Sequence, residues 1–471
     1  MKNKISKSVL AFLLLALVAV VLMVVQPCTG LSNVGHLTMG FTIMMIGGWI
    51  FKPWGVPTAV SGLFFLGAML IVGVPSGVAF TGFSQSSLWT LIPALFFGFA
   101  LQKSGLGRRI ANALLGLFPS TWIAVTVAWV VIGVVLSLVT PSMTVRAAIM
   151  IPIAAECCEL YGLQKGSKDS SFLVITALMM AILPGSGWLT GGLVGPIIQG
   201  IFESTAGLEG VITFESWMGA SLLPVLVTTV MTVVLAFLFL RPSAKLSKEL
   251  FKENGQKGGK KISAAEIKTA LILSVSCILF FTGNLHGIPS AAICLLAVVL
   301  LFATGVLAPN EFSTGINWDL IFFVGSGLCM SQIFTYSGFS DWLSTTITPV
   351  IGKLAVSPVL MVFVLLVVLF IWRFVDITTL IPTTVILAPI ISSVAVSYGI
   401  DPMVWTVILT LAITSIFLSY TNMWAAMGKK IAGEYSWEEG HIFKYGLAYF
   451  IACCVGVACA IPFWMMNGLL P

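Results

Sequence analysis

Long uninterrupted apolar runs, rather than alternating apolar and polar positions, dominate this chain. Many of the runs approach or exceed the roughly 18 residues that a helix needs to cross a bilayer, whereas the strands of a membrane barrel would alternate. They also contain many Gly and Pro residues, which membrane helices tolerate. The pattern predicts about 11 membrane helices, at residues 8–26, 36–51, 56–74, 85–102, 172–202, 218–240, 265–282, 289–306, 318–334, 404–427 and 443–466.

Two further apolar stretches, at residues 118–161 and 353–397, are interrupted by polar residues near their middle. The first must start and finish on the same side of the membrane, so it forms either a re-entrant hairpin or two full spans. We predict re-entrant helical hairpins for both stretches. The fold class expected is therefore an all-α polytopic membrane protein with two hairpins and discontinuous helices.

Composition supports a membrane protein and excludes a water-soluble domain. The chain has 471 residues, of which 58% are hydrophobic and only 8% are charged, and its mean hydropathy is +1.08. The run at 8–26 follows three lysines, but it is longer than the apolar core of a typical secretory signal, so we interpret it as the first helix. The nine cysteines form no CxxC pair and are interpreted as packing residues.

The distribution of basic residues predicts the orientation of the chain. Lys and Arg mark the cytoplasmic side of a membrane protein. They cluster at the N-terminus, at 103–109, at 165–168, in the long loop at 241–268 and at 429–430, whereas residues 203–215 carry acidic but no basic side chains. We therefore expect an integral protein of the cytoplasmic (inner) membrane, with its N-terminus in the cytoplasm and its C-terminus outside.

The second half of the chain repeats the first. Matching features occur in the same order in both halves: GVPTAV at 55 and GIPSAA at 287, Gly73-Val74 and Gly305-Val306, Trp89 and Trp318, Ser104-Gly105 and Ser337-Gly338, Tyr161-Gly162 and Tyr398-Gly399, Trp188 and Trp424, and Ser216-Trp217 and Ser436-Trp437. The predicted topology places matching helices in opposite directions. An inverted repeat with broken helices is typical of secondary transporters, whose sites lie near the membrane midplane at the repeat interface.

Four interruptions of apolar helix, two in each half, are the candidate site. They are the hairpin tips at 139–144 and 376–384, and the breaks at 184–187 and 419–422. Pro141 removes a backbone donor and disfavours helix at the preceding residue, which frees backbone groups. Free backbone at membrane depth is tolerated only where it is buried in protein or lines a wet cavity. The four interruptions could therefore meet at one point.

Charged residues beside the tips suggest ligands of both signs. Free N–H groups at helix ends attract anions, and free carbonyls coordinate cations. Arg146 adds a positive charge that either contacts a carboxylate or sulfate, or pairs with Glu156 or Glu159. Arg373 and Asp376 are three residues apart and either neutralise each other or leave Asp376 to bind a cation or proton.

The hairpin tips resemble those of the divalent anion/sodium symporter family, which includes dicarboxylate, citrate and sulfate carriers. That family has a Ser-Asn-Thr triplet at each tip; here the triplets read Ser142-Met143-Thr144 and Thr379-Leu380-Ile381. TPSMTVRA, with Arg146, is particularly similar to the dicarboxylate exchanger branch. The resemblance extends from about Gly55 to the C-terminus.

The resemblance implies a homodimer that works by an elevator mechanism. Its divisions would be N-terminal scaffold helices (1–117), the first hairpin and transport helices (118–240), a cytoplasmic basic loop (241–264), second scaffold helices (265–350), and the second hairpin and transport helices (351–471). No cofactor is expected, although Na⁺ is a candidate coupling ion.

The predicted site follows from the tips, the breaks and the resemblance together. The residues expected to bind substrate are Ser142, Met143, Thr144, Arg146, Thr378, Thr379 and Asn422. Those expected to bind a cation, through backbone carbonyls or side-chain oxygens, are Ser142, Gly187, Asp376, Thr379 and Thr421. No other metal site is predicted.

The function predicted is secondary active transport of a small divalent organic anion, a C4 dicarboxylate or a related di- or tricarboxylate, by Na⁺ coupling or by exchange. The alternatives are a carrier of sulfate or another inorganic oxyanion and a cation/proton antiporter of the same superfamily. An enzyme is not expected, because His36, His286 and His441 lie at predicted loops or helix ends and no catalytic motif accompanies them. The partners expected are the anionic substrate and the lipid bilayer, and no nucleic acid.

Overall fold

Helices follow one another along the chain in the order that the apolar runs predict. The computed structural model describes residues 6–140, 142–246, 261–354, 357–376 and 381–471. The first half contains α1 Lys7–Val25, α2 Asn33–Phe51, α3 Thr58–Val72, α4 Ser76–Ala79, α5 Thr81–Ser84, α6 Ser86–Ser104, α7 Leu106–Leu115, α8 Trp122–Val139, α9 Met143–Leu160, α10 Lys168–Ile182, α11 Val194–Glu203 and α12 Phe214–Leu240. The second contains α13 Ala264–Phe281, α14 Gly283–His286, α15 Ser290–Ala303, α16 Glu311–Thr314, α17 Trp318–Tyr336, α18 Phe339–Leu354, α19 Pro358–Trp372, α20 Ile381–Tyr398, α21 Pro402–Ile413, α22 Met423–Ala432 and α23 Glu439–Met466.

Several of these helices are long and apolar enough to span a bilayer. In the described ranges eight meet both conditions, namely α1, α2, α8, α10 with the turn that follows it, α12, α13, α17 and α23, and four shorter apolar helices accompany them. Many large apolar side chains face outward, for example on α1 and α12. The prediction of an all-α polytopic membrane protein is confirmed.

Repeated glycines end matching helices in the two halves. Gly73 follows α3 with φ of +98°, and Gly305 follows α15 with φ of +72°. Gly105 and Gly338, after α6 and α17, have φ of +78° and +74°. This left-handed conformation is open to glycine without the steric penalty that a Cβ atom brings. The sequence repeat therefore corresponds to a repeat of local structure.

Each hairpin is a pair of helices, α8 with α9 and α19 with α20, and each is preceded by a helix that the apolar pattern did not reveal. These two helices, α7 and α18, directly follow the paired glycines. α7 carries Arg108 and Arg109, so it lacks a long apolar run. Arg109 Nε lies 2.6 Å from Glu266 Oε1 on α13, which joins this helix to the second half.

The helices of the two halves pack crosswise around the interruptions. The second limb of the first hairpin, α9, packs against α22 of the second half. The second limb of the other hairpin, α20, packs against α11 of the first half. The longest helices, α12 and α23, also lie against each other. Each hairpin is therefore supported partly by the broken helix of the other half.

Candidate functional site

The tip of the first hairpin is a short extended segment between two helix ends. Thr140 ends α8 and Ser142 begins α9, both with extended backbone. The Ser142 hydroxyl accepts a hydrogen bond from Val145 N at 3.3 Å, which is the usual role of serine at a helix N-terminus. Thr140 and Ser142 are buried. The local sequence thus produces the predicted interruption; Pro141 lies outside the described residues.

Arg146 links this tip to the first helix break. Its side chain is completely buried, and its Nε donates to the Ala181 carbonyl at 2.6 Å. Its Nη1 donates to the Thr140 carbonyl, and its Nη2 has no hydrogen-bond partner among the described residues. The predicted alternative of an ion pair with Glu156 or Glu159 is not found among the described residues, where Glu156 pairs instead with the exposed Arg108. The guanidinium therefore stabilises carbonyls near the ends of α8 and α10.

The first break consists of two short 3-10 turns between α10 and α11, Pro184–Gly187 and Leu189–Gly191. Two tryptophans fix its position: Trp217 Nε1 donates to the Ser186 carbonyl at 3.0 Å, and Trp188 Nε1 donates to the Ser137 carbonyl on α8 at 3.1 Å. The carbonyl of Gly187, a predicted cation ligand, accepts a hydrogen bond from Ser221 at 3.1 Å. The predicted break is confirmed, and it lies directly against the first hairpin.

The second break also reaches the first hairpin. Trp424 Nε1 donates to the half-buried Thr144 hydroxyl at 3.3 Å. Asn422 caps α22 through its side-chain oxygen, which accepts from Trp424 N at 2.9 Å, and its Nδ2 donates to the Ser415 carbonyl at 3.2 Å. The Thr421 hydroxyl donates to the Leu418 carbonyl at 2.8 Å. The Asn422 amide and the Thr421 hydroxyl therefore hold the break in place.

The second hairpin presents charged groups near its tip. Thr378 and Thr379 lie outside the described residues. Beside them Arg373 is 1% exposed and Asp376 is 5% exposed. Arg373 Nη1 donates to the backbone carbonyl of Asp376, and the Asp376 carboxylate accepts a hydrogen bond from Thr383. An arginine thus binds a carbonyl at the end of the first limb in both hairpins.

The structure brings part of the predicted site together. Arg146 lies against the end of α10 and beside Gly185 of the first break, and Thr144 contacts Trp424, which follows the second break. Met143 is buried, with 1% of its surface exposed. Its terminal methyl group lies against Gly192, where a Cβ atom on residue 192 would collide with it. The tryptophans were detectable as repeat pairs in the sequence, but their hydrogen bonds to the breaks were not, since those depend on the fold.

Comparison with known proteins places this arrangement in a family. The family described as "Sodium:sulfate symporter transmembrane region" matches residues 6–470. The chain is 25% identical over 310 residues to the chloroplastic dicarboxylate transporter 1 of Arabidopsis thaliana, a match that covers 62% of this chain and 55% of that protein. It is 24% identical over 307 residues to the L-tartrate/succinate antiporter of Shigella dysenteriae, covering 63% and 61% of the two chains. The matches thus span little more than half the length of these relatives.

A solved structure shares the fold. The YdaH transporter of Alcanivorax borkumensis superimposes with a TM-score of 0.57 at 15% sequence identity, covering 99% of this chain and 100% of that one. At this identity the likeness concerns the fold alone. The family match, however, extends over nearly the whole chain. The chain therefore belongs to the family described as "Sodium:sulfate symporter transmembrane region".

Proposed function

We propose that this protein exchanges small divalent organic anions, C4 dicarboxylates or closely related di- or tricarboxylates, across the membrane. The observation that carries the proposal is the buried guanidinium of Arg146, which lies between the first hairpin and the first break and has one nitrogen unpartnered among the described residues. A fixed positive charge next to free backbone at a helix interruption favours an anion. The relatives named as dicarboxylate and tartrate/succinate carriers support the same substrate class.

The two carbonyls that accept hydrogen bonds from Arg146 favour exchange over sodium-coupled transport. Its Nε and Nη1 donate to the main-chain carbonyls of Ala181 and Thr140, and such oxygens are also the ligands that Na⁺ requires. A cation that is covalently part of the chain cannot be released on the other side of the membrane, so it cannot couple transport to a sodium gradient. The name of the Shigella relative, an antiporter, agrees with this proposal.

Sodium-coupled symport is the second candidate. The buried Asp376 carboxylate near the second tip is an oxygen ligand of the kind that a hard cation prefers. The family description also names sodium and sulfate. In this alternative Asp376, with backbone carbonyls at Ser142, Gly187 and Thr421, would hold Na⁺. A sulfate carrier would use the same positive charge at Arg146 for a smaller dianion.

Three further parts of the proposal concern the whole molecule. We propose that the hairpins, with the helices that follow them, move as one transport domain against the remaining helices in a homodimer. The N-terminus would lie in the cytoplasm and the C-terminus outside, in agreement with the basic loops. Labelling of cysteines introduced singly at Lys165 and Glu209 with a membrane-impermeant reagent tests the orientation: the variant at Glu209 should react from outside more than the wild type, which has its own free Cys28, and the variant at Lys165 should not.

Uptake of labelled succinate into proteoliposomes tests the transport proposal. We expect uptake only when succinate is loaded inside, with no effect of replacing Na⁺ by K⁺. Uptake into empty vesicles that requires an inward Na⁺ gradient would establish the symporter instead. Uptake of labelled sulfate by the same vesicles, with no succinate uptake under any condition, would contradict the dicarboxylate assignment.

A further inference from the structure

The C-terminal end of α11 meets α6 and α17 through a group of polar residues, which we call the α11 polar contact. The amide of Gln85, directly before α6, donates to the Ser204 hydroxyl, and the Gln332 amide on α17 donates to the Ser204 carbonyl at 2.9 Å. The Thr205 hydroxyl lies 3.0 Å from the Ser331 hydroxyl, which is also on α17. Ser204, Thr205 and Ser331 are buried. The end of α11 is thus hydrogen-bonded to two neighbouring helices at once.

Gly200, one turn before Ser204, allows α11 to approach these helices closely. A Cβ atom at residue 200 would collide with the Ser87 hydroxyl on α6 and would lie 2.7 Å from a methyl carbon of Leu328 on α17. Small residues let two membrane helices pack closely, and polar side chains then form hydrogen bonds between them. The α11 polar contact is therefore part of a closely packed interface.

This interface lies between the two parts of the molecule that move relative to each other in the proposed function. α11 is one of the transport helices that follow the first hairpin, whereas α6 and α17 are scaffold helices. Movement of the transport helices along the scaffold must break the hydrogen bonds of the α11 polar contact. The contact therefore exists in one arrangement of the two parts and is absent from another.

The hydroxyls at the end of α11 keep a hydrogen-bond partner when the contact opens. Ser204 Oγ donates to the Gly200 carbonyl at 2.9 Å, and Thr205 Oγ1 donates to the Ile201 carbonyl at 2.8 Å. The two glutamines are only half-buried, so water can replace their partners. A broken hydrogen bond is costly mainly where it leaves a buried donor unpaired. Separation of α11 from α6 and α17 is therefore inexpensive.

A contact within the transport helices shows the opposite property. Trp464 Nε1 on α23 donates to the Ala220 carbonyl on α12 at 2.9 Å, and Trp464 is completely buried. An indole is a donor only, so separation of α12 from α23 would leave it without a partner. The hydrogen bonds of the α11 polar contact are thus suited to repeated opening, whereas this one favours a permanent contact.

We propose that the α11 polar contact is a latch, which holds the transport helices against the scaffold in one conformation and opens once in each transport cycle. This assignment rests on the proposed function, because only a transport part that moves requires a contact that opens. The amide donors of Gln85 and Gln332 stabilise the closed latch. The adjacent Thr205 and Ser331 hydroxyls mark the point at which opening can be blocked.

A disulfide across the contact tests whether it must open. The Thr205 and Ser331 hydroxyl oxygens are 3.0 Å apart, so the sulfur atoms of the double variant Thr205→Cys/Ser331→Cys can bond after a small side-chain rotation. We expect an oxidant to abolish succinate exchange by this variant in proteoliposomes and a reductant to restore it. Each single variant is a matched control, because it carries the same substitution but cannot form this bond.

The extent of cross-linking is measured on the same samples. A protease site inserted into the basic loop at 241–264 separates the two halves of the chain, which then stay together on a non-reducing gel only when a disulfide joins them. Wild type with the same inserted site, which keeps its nine native cysteines, gives the background. The loss of exchange should follow the cross-linked fraction.

The labelling rate of a single cysteine tests the latch without any transport. Thr205 is 4% exposed, so a cysteine at 205 reacts with N-ethylmaleimide mainly when the latch is open. Gln85→Ala combined with Gln332→Ala should raise this rate about five- to tenfold, because one interhelical hydrogen bond in a membrane shifts an equilibrium roughly threefold. Gln199→Ala is the control, since Gln199 also lies on α11 but donates to the Ile212 carbonyl at 3.0 Å, within the transport part.

Three outcomes would overturn the latch. The cysteines at 205 and 331 fail to cross-link, the fully cross-linked protein exchanges succinate at the rate of the reduced protein, or the labelling rate at 205 is unaffected by loss of both amides. A wild type that exchanges no succinate under any condition would instead refute the proposed function. The labelling rate would still decide whether the contact opens, so the two failures are distinguishable.

Discussion

Replacement of Arg146 tests the central physical argument about the site. Arg146→Met keeps much of the side-chain length but removes the charge and both hydrogen bonds, to the Thr140 and Ala181 carbonyls. Hydrogen bonds to charged groups contribute about 1.5–3 kcal/mol each, so the two together correspond to roughly 3–6 kcal/mol. One bond lies within the tip of the first hairpin, and the other joins that hairpin to the end of α10, just before the first break. The loss should therefore affect both stability and exchange.

Arg146→Lys separates charge from geometry. An ammonium retains the charge, but it lacks the planar fork that reaches two carbonyls at once, so we expect roughly half the loss of Arg146→Met. The assays are thermal unfolding in detergent and succinate exchange in proteoliposomes. Arg241→Met is the matched control, because Arg241 is exposed and donates to a single carbonyl, that of Leu238.

The reasoning is refuted if Arg146→Met unfolds and exchanges succinate like the wild type. The claim that the positive charge matters is refuted if Arg146→Lys and Arg146→Met lose equal activity, because only the lysine variant keeps a cation near the carbonyls. A third result would concern the coupling of transport to Na⁺. If exchange by Arg146→Met requires Na⁺, the guanidinium of the wild type occupies the position of a coupling cation.

Three other predictions concern contacts away from this guanidinium. Trp424→Phe removes the indole donor to Thr144 at 3.3 Å and should slow exchange severalfold, with an effect that is not additive with Thr144→Val in a double-mutant cycle. Asp319→Ala removes the carboxylate that accepts from Ala59 N at 2.7 Å at the start of α3; it should cost about 1–2 kcal/mol of stability, seen as a lower Tm, without changing succinate KM. The hydrogen bond from Lys103 lowers the pKa of Glu311 below its ordinary value of 4.5, so its stabilisation is present above that pH and is lost as the pH falls below it. Tm measured against pH should accordingly be flatter on the acid side for Glu311→Gln than for wild type.

The sequence was sufficient to predict most of the membrane helices, because membrane thickness imposes a minimum length on an apolar run. Predicted and observed ends agree closely for α1, α6, α13 and α17, for example 85–102 against Ser86–Ser104. The helices α7 and α18 were missed because they are short or carry polar residues. Their positions after Gly105 and Gly338 are repeated in both halves, and that repeat was the available signal.

The interruptions were predictable for a different reason. Proline, glycine and serine disfavour continuous helix at any depth, so the breaks at 184–187 and 419–422 could be placed without knowledge of the fold. The contacts within the candidate site could not be predicted in this way. Arg146 meets Ala181, 35 positions away, and Thr144 meets Trp424, 280 positions away. The Ser186 hydroxyl is buried with no hydrogen-bond partner among the described residues, and this depends on packing in three dimensions that no local pattern encodes.

The crosswise packing of the two halves has a consequence for how such a protein can assemble. The second limb of the first hairpin, α9, rests on α22, and α20 of the second hairpin rests on α11. A half chain would therefore expose the surfaces that its counterpart covers, and it would hold Thr144 without Trp424. Each half is, in effect, a subunit that recognises a related subunit, and the covalent connection through the basic loop ensures that the two are made in equal number. The candidate site is accordingly an interface between the two halves of one polypeptide.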